Sequence, residues 1–589
     1  MNFRKVISFL CVLTLIFSIT ACTDDGDKDK KTRNSNAKVN TPRNETLFMS
    51  GLQWGPPANF NLLSGNPAWP IAQGRELIYE TLFMYNQLDG KLEPLLAKSY
   101  EWKDDYTIII KMNPDAHFND GKKLTSEDVV YTYELGKKYK DQLNWSNHWN
   151  YLDSITTIDD ETVEMKVNKE NYNRLTVTDT LQNTCILPKH IWTKIEEKHN
   201  YDLEKIRKEF NKDPVASGPY KIHYYDDTRI IVKRDDNYWG QKLFGKLPAP
   251  KYIGHIIYKS NDIGNTALKN GDVDLSQNFI PQVWKYIEKN NVKTFLKDSP
   301  YYLPGVIPSL FINTHNKNAL EVFEVRKALA MSINYEKIGE IAMSGYTDKI
   351  KPSLALNVET EMKYLDESKI KDLQWSYDVE GAKKLLDKIG AKPGKDGIRI
   401  LDGKRLGPYN IECPYGWTDW NASIQIVIES AKKIGIELKE SFPESPVWMN
   451  NKQTGKFDIL MDSPGGSLQP SQPIYRANQI MYSVGVPKIG ETAYFNWGRF
   501  KDEKADELII AFGKEKDEEK KKEIYTELNQ IYLKNIPTIP LMYRPWWFYT
   551  VSEEVWKNFP VESDGSNIPP QNCMEGAGVK ALYQIEPAK

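Results

Sequence analysis

The sequence is poor in cysteine and histidine, and it has almost no net charge. Of its 589 residues, 5 are cysteine and 7 are histidine. The 78 Lys and Arg side chains nearly match the 80 Asp and Glu side chains, so the basic excess that nucleic-acid binding requires is missing. We therefore expect no nucleic-acid partner. A chain of this length predicts two or three domains rather than one.

The few cysteines exclude a disulfide framework. Cys11 and Cys22 lie in or directly after an N-terminal apolar run, which leaves Cys185, Cys413 and Cys573 for the folded chain. Three is an odd number and their spacing matches no metal-binding pattern, so either one incidental bridge or three buried thiols are expected. The histidines form no H-E-x-x-H motif, and no G-x-S-x-G motif occurs. The sequence predicts no metal, no cofactor and no catalytic residue.

Long apolar runs are absent except at the N-terminus. Val6 to Ile19 is almost wholly apolar and follows Arg4 and Lys5. This run is too short for a membrane anchor but is typical of a signal peptide. It ends in Ile19-Thr20-Ala21-Cys22, which resembles a bacterial lipobox. We predict a lipoprotein signal peptide over residues 1–21, with Cys22 as the acylated first residue of the mature protein; an ordinary signal peptide with a chance cysteine is the alternative.

The segment that follows has little to bury. Residues 22–44 are mainly charged and polar, which predicts a disordered linker. Together with the acylated cysteine, this linker predicts a protein held by lipid on the extracytoplasmic face of the cell membrane. The folded part is expected to begin near Glu45.

Aromatic residues are abundant instead, with 16 Trp and 33 Tyr. The segment Pro414–Trp420, "PYGWTDW", concentrates three of them before a predicted helix. Apolar residues from Ile424 to Ala431 follow at helical spacing, and Gly435 ends the pattern. The aromatic side chains either belong to the core or offer a flat surface to a ligand.

The start of this helix decides where Trp417 points. Thr418 or Asp419 is predicted to cap the helix, which leaves Trp417 outside it and free to project. We therefore expect Trp417 to stack on a ligand, and Trp420 to divide its surface between ligand and core.

Local patterns predict several further elements. Alternation predicts a strand from Tyr106 to Met112, and Thr125 with Asp128 three residues later predicts a capping box at the start of a helix. A helix is also predicted within residues 74–86, and another within Tyr377–Gly390.

One stretch around this capping box resembles the signature of the extracellular solute-binding proteins that serve oligopeptide-type ABC importers, solute-binding family 5. The signature positions are occupied by Lys111, Phe118, Asn119, Asp120, Gly121, Thr125, Asp128 and Val129. Further segments resemble the family in the family's order: Asp213–Ile222, Arg234–Gly240, Leu310–Asn313, Val325–Asn334, Tyr377–Gly390 and Ile536–Tyr543. The resemblance extends over residues 45 to 589.

The resemblance implies an α/β fold with two lobes that close on a ligand, a periplasmic-binding-protein-like clamshell with discontinuous domains and an extra inserted subdomain. The first lobe is expected to comprise residues 45–84, 213–309 and 540–589. The inserted subdomain is expected at 85–212 and the second lobe at 310–539. Residues near 310 and 540 would form the hinge.

Within the family, "PYGWTDW", "SPVWMNN" and "LQWGPPANFNLL" most resemble the branch that binds cello-oligosaccharides. Trp and Tyr planes suit the apolar faces of a sugar ring, and Asn and Asp suit its hydroxyls. The candidate ligand-binding residues are Trp54, Asn59, Trp69, Trp417, Asp419, Trp420, Trp448, Trp497, Trp546 and Trp547. About half are expected to touch ligand, whereas Trp239 and Trp556 are assigned to the core.

Two other functions stay open. Peptide-binding relatives place an Asp against the ligand's ammonium group in a Trp-x-x-Asp-Tyr-x-Asp-Pro stretch, which Phe457–Arg476 lacks, although Asp462 could substitute. A glycoside hydrolase needs only two well-placed carboxylates, which sequence spacing does not reveal. We predict a monomeric oligosaccharide-binding protein that works with permease subunits and a separate ATPase.

Overall fold

The computed structural model describes residues 41–588 apart from 66, 141, 142, 144, 289–291, 317, 466–468, 470, 472 and 571–574. The predicted signal peptide, Cys22 and Cys573 lie outside the described residues. Within the described part, none of the helices combines the length and the apolar character needed to cross a membrane.

A mixed seven-stranded sheet gathers strands from distant parts of the chain. Its central strand Thr46–Ser50 runs parallel to Tyr252–Ile256 on one side and to Leu275–Ser276 on the other. The remaining pairings are antiparallel. In spatial order the strands are Val292–Thr294, Thr550–Ser552, Leu275–Ser276, Thr46–Ser50, Tyr252–Ile256, Arg229–Arg234 and Tyr220–Tyr225.

A mixed five-stranded sheet takes all of its strands from residues 309–540. Tyr409–Glu412 lies at the middle of a parallel group of three, and Ser309–Ile312 pairs antiparallel with its neighbours on both sides. In spatial order the strands are Leu438–Ser441, Tyr409–Glu412, Ile459–Asp462, Ser309–Ile312 and Thr538–Pro540.

A four-stranded antiparallel sheet is built from residues 97–167, and the remaining strands form smaller two- or three-stranded ribbons. The four strands are, in spatial order, Ala97–Asp104, Thr107–Met112, Thr162–Val167 and Leu152–Asp159. The ribbons are Phe83–Asn86 with Lys91–Pro94, Trp556–Lys557 with Glu586–Pro587, and the set Lys392–Pro393, Arg399–Leu401 and Lys404–Arg405.

Helices flank these sheets. Those of eight or more residues are Ser126–Lys138, Arg174–Asn183, Lys189–Lys198, Asn261–Lys269, Phe323–Ser332, Val379–Lys388, Thr418–Lys433, Ser445–Thr454, Ile474–Met481, Glu503–Lys514 and Glu518–Asn535. Shorter α-helices are Arg75–Ile78, Leu203–Arg207, Gln241–Phe244, Trp284–Ile287, Tyr335–Lys337, Glu359–Met362 and Ala581–Gln584. Single 3-10 or π turns are Arg43–Glu45, Ser146–Asn150, Ala319–Glu321, Ile338–Ala342, Glu367–Lys369, Glu562–Asp564 and Gly576–Lys580.

Two large apolar cores organise the sheets. One surrounds the five-stranded sheet and includes Leu310, Ile411 and Leu460. The other is shared by the seven-stranded and four-stranded sheets, so that Leu47 and Ile108 belong to the same cluster. The sheet from residues 97–167 is therefore not an independent body but packs onto the seven-stranded sheet.

Most of the local predictions are confirmed. The strand Thr107–Met112 forms, and the Asp128 carboxylate accepts the backbone N–H of Thr125 at 2.9 Å, which is one half of the predicted capping box. The helix Val379–Lys388 forms as well. Trp239 and Trp556 are buried, with 4% and 0% of their surface exposed.

The helix predicted within residues 74–86 is wrong for most of its length. It ends after Ile78, and Phe83–Asn86 is a strand paired with Lys91–Pro94. The reason is tertiary: the carbonyl of Ile78 accepts the N–H of Gly218 at 2.8 Å. A Cβ at Gly218 would lie 2.6 Å from that carbonyl oxygen, so the close approach requires glycine.

The chain passes between the two large sheets at two adjacent segments. Val306 and Arg544 form an antiparallel bridge, and Leu541 N–H donates to the carbonyl of Pro308 at 2.9 Å. We call residues 302–308 and 541–547 the two crossings. They lie next to the predicted hinge positions, while the exact lobe boundaries given above stay a prediction.

Candidate ligand-binding site

The parallel strands of the five-stranded sheet end beside the candidate residues. Tyr409–Glu412 and Ile459–Asp462 are parallel neighbours, so their carboxyl ends lie at the same edge. Ligands of open α/β sheets bind at this kind of edge. The segment "PYGWTDW" begins two residues after the end of the first strand, and Asp462 is the last residue of the second.

Four tryptophans gather at this edge, and we call them the tryptophan cluster: Trp417, Trp420, Trp448 and Trp497. The Trp417 ring lies 4.9 Å from Trp420 and 5.6 Å from Trp448, measured between ring centroids. The ammonium group of Lys452 lies 4.6 Å from the Trp448 ring and 4.4 Å from the Trp497 ring. Lys452 thus joins the two halves of the cluster by cation–π contacts.

Only one member of the tryptophan cluster has a substantial exposed surface. Trp417 is 37% exposed, while Trp420, Trp448 and Trp497 are 4%, 2% and 6% exposed. The indole N–H groups of Trp420 and Trp448 have no hydrogen-bond partner among the described residues. Trp417 is therefore a partly exposed ring that contacts two buried ones.

Two acidic candidates of this region, Asp419 and Asp462, already have cationic partners. The Asp462 carboxylate lies 3.0 Å from the ammonium of Lys452, and both side chains are 10% exposed. The Asp419 carboxylate accepts a hydrogen bond of 2.6 Å from Nε of Arg544, which belongs to the second crossing. In both pairs the charge of the carboxylate is already matched by a cation of the protein, so neither offers an unmatched negative charge to a cationic ligand.

The predicted cap of the helix after "PYGWTDW" is wrong by one residue. The helix is Thr418–Lys433, and Trp417 itself occupies the capping position without a side-chain hydrogen bond. Asp419 is buried in the first turn of the helix. Its carboxylate accepts a hydrogen bond from Arg544 and does not cap the helix. The predicted helix stop is confirmed, since Gly435 adopts a left-handed φ of 79° just after the C-terminus.

The candidates near the seven-stranded sheet lie apart from the tryptophan cluster in their contacts. Trp69 is 1% exposed and its ring lies 5.2 Å from that of His255. The side chain of Asn59 donates to Ser64 at 3.1 Å and accepts the N–H of Asn61 at 3.0 Å, so it stabilises its own turn. Trp54 is 47% exposed.

Trp546 and Trp547 line a pocket between the two crossings, which we call the crossing pocket. Their rings meet edge to face at 5.7 Å. The pocket has a volume of only about 10 Å³, which is room for about one water molecule, and it is partly open. Its walls are Gln87, Phe295, Tyr302, Leu303, Pro304, Gly305, Trp546, Trp547, Tyr549 and Pro570.

Several residues of these two sites were not predicted. Lys452, Arg544, Gln87 and Tyr302 belong to no motif, and the partners of Arg544 and Tyr302 lie far away in the chain. The only available signal was position, because Tyr302 and Arg544 lie close to the predicted hinge.

The thiol of Cys413, near the site, is buried and unreactive. Cys413 directly follows the strand Tyr409–Glu412 and is buried, and burial raises the pKa of its thiol to about 12. Cys185 is also a buried free cysteine, so these two thiols are not bridged to each other. Among the described residues no group of His, Cys, Asp or Glu is arranged to hold a metal ion; the expected lack of a cofactor stays a prediction.

Residues 91–481 match the family model of the bacterial extracellular solute-binding proteins, family 5. An oligopeptide-binding protein of Thermotoga maritima, solved with bound mannohexaose, superimposes with a TM-score of 0.84 at 31% identity, covering 93% of this chain and 99% of that one. The oligopeptide-binding protein AppA of Bacillus subtilis is 27% identical over 90% of each chain. The structure of AppA with a nonapeptide superimposes with a TM-score of 0.72 at 22% identity, covering 92% of this chain and 99% of that one.

These likenesses define the class of the fold as periplasmic-binding-protein-like, α/β with multiple domains, as predicted. The chain belongs to the bacterial extracellular solute-binding proteins, family 5. It is accordingly an extracytoplasmic substrate-binding protein of an ABC importer of the oligopeptide type. Solute-binding proteins of this kind are not enzymes.

Proposed function

We propose that the protein captures neutral oligosaccharides, in the first place β-linked gluco-oligosaccharides, and delivers them to a membrane permease. One observation carries the proposal. Beside the half-exposed ring of Trp417, both acidic candidates are already paired, Asp419 with Arg544 and Asp462 with Lys452.

A peptide ligand would bring charges into this region. Its ammonium group needs an unpaired carboxylate when it leaves water, because a buried charge without a partner is costly. Asp462, the residue that could have served, is bonded to Lys452 at 3.0 Å. A neutral sugar ring makes no such demand, since its apolar face stacks on an indole and its hydroxyls exchange hydrogen bonds with polar groups and water.

The comparisons support two ligand classes. The Thermotoga maritima relative is described with mannohexaose, which favours an oligosaccharide. The relative AppA from Bacillus subtilis is described as oligopeptide-binding, and an oligopeptide is our second candidate. A glycoside hydrolase is a remote third, which incubation with cellotetraose and analysis of the products would reveal.

The test of the ligand class is a calorimetric titration panel. It comprises cellobiose to cellopentaose, laminaribiose, xylo-oligosaccharides, mannohexaose, a tripeptide and a nonapeptide. We expect the cello-oligosaccharides to bind and the peptides to give no heat of binding. Binding of the peptides alone would overturn the proposal in favour of the second candidate.

We further propose that capture occurs by closure of the two lobes. Contacts between segments assigned above to different lobes or to the inserted subdomain support this: Asn261 donates to Thr418 at 3.2 Å, and Ser471 N–H donates to Asp179 at 2.9 Å. Closure buries the ligand and presents one joint surface to the permease, whose ATPase is a separate polypeptide. Saturating ligand is expected to reduce the radius of gyration in solution scattering, and an unchanged radius would contradict closure.

We also propose that the protein is a monomer tethered through acylated Cys22. The reason is the lipobox-like sequence before this residue and the polar linker after it. In cell fractionation the Cys22→Ala variant is expected to leave the membrane fraction. Retention of an acyl chain by that variant would contradict the tether.

A further inference from the structure

A second cavity adjoins the five-stranded sheet, and we call it the Arg326 pocket. Its volume is about 230 Å³ and it is partly open. Ile312, the last residue of one strand, and Pro537, the residue before another, belong to its walls. None of the described residues that line it belongs to the tryptophan cluster or to the two crossings. An apolar cavity of about 150 Å³ can hold a benzene molecule, so this pocket has room for a small organic ligand.

Much of the lining is apolar. The apolar side chains are Phe311, Ile312, Ile480, Phe500 and Pro537. Phe311, Ile312 and Ile480 are buried members of the core around the five-stranded sheet, and Phe500 packs against that core. Apolar surface gains free energy when an apolar body covers it and displaces water. The pocket therefore favours a ligand with an apolar body over an inorganic ion.

A buried cation, Arg326, lines the same pocket. Its side chain is 7% exposed. It donates to the backbone carbonyls of Leu320, Glu321, Asn535 and Ile536. These acceptors are neutral, and among the described residues none of the hydrogen-bond partners of the guanidinium is a carboxylate. A guanidinium has five N–H groups, and these bonds leave one N–H of Nη2 without an acceptor in the described part of the chain.

The charge of the pocket is positive. Lys501 also lines it, is exposed, and forms no ion pair with a described residue. The acidic residue of the lining, Glu321, already lies 3.1 Å from the ammonium of Lys404. Burial lowers the pKa of the Arg326 guanidinium to about 10, which still leaves it protonated at neutral pH. Two cations of the pocket thus lack a matching carboxylate.

These properties select the chemistry of an occupant. A buried cation is costly without a counter-charge, and a ligand carboxylate supplies both the negative charge and the acceptor oxygens. A neutral ligand would leave the cation unmatched, and an ammonium group would be repelled by it. His315, another residue of the lining, uses its Nε2 for the carbonyl of Arg499 at 2.9 Å, so this nitrogen is not offered to a ligand.

We propose that the Arg326 pocket is a second binding site, which takes a small organic carboxylate with an apolar body. The carboxylate accepts the remaining N–H of Arg326 and neutralises the charge of Arg326 and Lys501. The apolar body covers Phe311 and Phe500. The proposal is independent of the proposed function, because the site uses none of the residues that serve the oligosaccharide there.

The test compares three probes of similar shape and different charge. Benzoate carries the carboxylate on an apolar ring, benzyl alcohol is neutral, and benzylammonium is a cation. Each is titrated into the intact protein by calorimetry at neutral pH. We expect one benzoate to bind per chain, about tenfold more tightly than benzyl alcohol, and benzylammonium to give no heat of binding.

Variants with a matched control assign the binding to this pocket. Lys501→Gln should weaken benzoate binding about threefold, whereas Lys504→Gln removes a nearby lysine that does not line the pocket and should change nothing. Glu321→Gln removes the acid of the lining and should strengthen benzoate binding about twofold. Arg326→Gln should weaken it at least about tenfold. If Arg326→Gln does not fold, the variants of the exposed Lys501 and Glu321 decide the question.

Three results would overturn the site. They are an absence of benzoate binding, equal affinities for benzoate and benzyl alcohol, and benzoate binding that is the same in Lys501→Gln and Glu321→Gln as in the wild type. Trp417→Ala should bind benzoate like the wild type, and a loss there would place the probe at the tryptophan cluster and overturn the site too. None of these measurements uses a saccharide, so they stand or fall apart from the proposed function.

Discussion

Trp69 and Trp417 both lie in segments that contain turn-forming residues, yet only one of them offers a surface. Trp69 is 1% exposed and packs against His255, whereas Trp417 is 37% exposed in front of Trp420 and Trp448. The difference comes from their positions. Trp69 lies under other side chains of the core that the seven-stranded sheet shares, while Trp417 stands where a helix begins at the edge of the five-stranded sheet.

The comparison shows what makes an aromatic side chain useful for binding. The ring must be held by neighbouring side chains and must also keep a free surface. Trp417 meets both conditions, because two buried rings contact it and it is 37% exposed. Trp69 meets only the first. Each prediction below either tests this contrast or extends it to polar residues.

The largest effect is expected for Trp69→Ala. Truncating a fully buried tryptophan leaves a cavity and should lower the free energy of unfolding by about 3–5 kcal/mol. Denaturant unfolding measures this loss. The contrast with Trp417 would be contradicted if the Trp69→Ala variant kept its stability and lost affinity for the ligand instead.

A similar loss of stability is expected for Lys452→Met. This change leaves the buried Asp462 carboxylate without its partner at 3.0 Å, and breaking a buried pair costs about 3–5 kcal/mol. It also removes the cation between the Trp448 and Trp497 rings. Lys452→Arg keeps the charge and should restore most of the stability in the same unfolding experiment. Equal stability of Lys452→Met and wild type would show that the pair does not hold the cluster together.

For Trp417→Ala the loss should appear in binding and not in stability. Removing a stacking surface should weaken ligand binding by about 2–4 kcal/mol, the range of interface hot spots. Because the ring is partly exposed, the free energy of unfolding should change by less than about 1 kcal/mol. Calorimetry and denaturant unfolding on the same sample separate the two quantities, with Trp417→Phe as the variant that keeps a ring. Lost stability with intact affinity would assign Trp417 to the core.

The smallest effect is expected for Asp179, which is a buried polar residue. Burial raises the pKa of its carboxyl group to about 8, and the titratable groups that interact with it are Tyr85, Tyr151 and Tyr475. In the unfolded chain an Asp ionises near about pH 4. Between about pH 4 and pH 8 the folded protein therefore holds a proton that the unfolded chain releases, and the free energy of unfolding falls as the pH rises.

The Asp179→Asn variant removes this proton while keeping an acceptor for the Ser471 N–H. We expect its stability to fall less than that of the wild type between about pH 5 and pH 7, by a difference of about 2–3 kcal/mol. Unfolding curves at the two pH values measure the difference. Parallel pH profiles of the two proteins would mean that Asp179 stays ionised when it is buried.

Sequence reasoning succeeded where neighbouring residues determine the structure. The capping residues Thr125 and Asp128, the strand Thr107–Met112 and the end of the helix at Gly435 depend on contacts within a few positions. The fold class was predictable from the order of several such segments. The helix predicted within residues 74–86 failed because its backbone pairs with Gly218 and with Lys91–Pro94, which local patterns do not contain.

The candidate site was predictable in its location but not in its chemistry. "PYGWTDW" marked the edge of the five-stranded sheet, because a loop after a strand and before a helix lies at that edge. Exposure, however, is set by contacts across the fold. The partners of Asp419 and Asp462 are Arg544 and Lys452, and nothing in the spacing of these residues identifies them as pairs. The crossing pocket likewise unites Gln87, Tyr302 and Trp546 only after folding.

The order of the strands along the chain also sets the order in which the protein can fold. The four-stranded sheet is complete once residues 97–167 are available, but Thr538–Pro540 is an edge strand of one large sheet and Thr550–Ser552 is an inner strand of the other. In a chain exported from its N-terminus, Val292–Thr294 has no partner until Thr550–Ser552 arrives, and Ser309–Ile312 keeps one open edge until Thr538–Pro540 arrives. Open strand edges attract other chains. The growing polypeptide is therefore most prone to aggregation just before its C-terminal segment emerges. The strands of that segment then pair with the open strands of both sheets nearly at once.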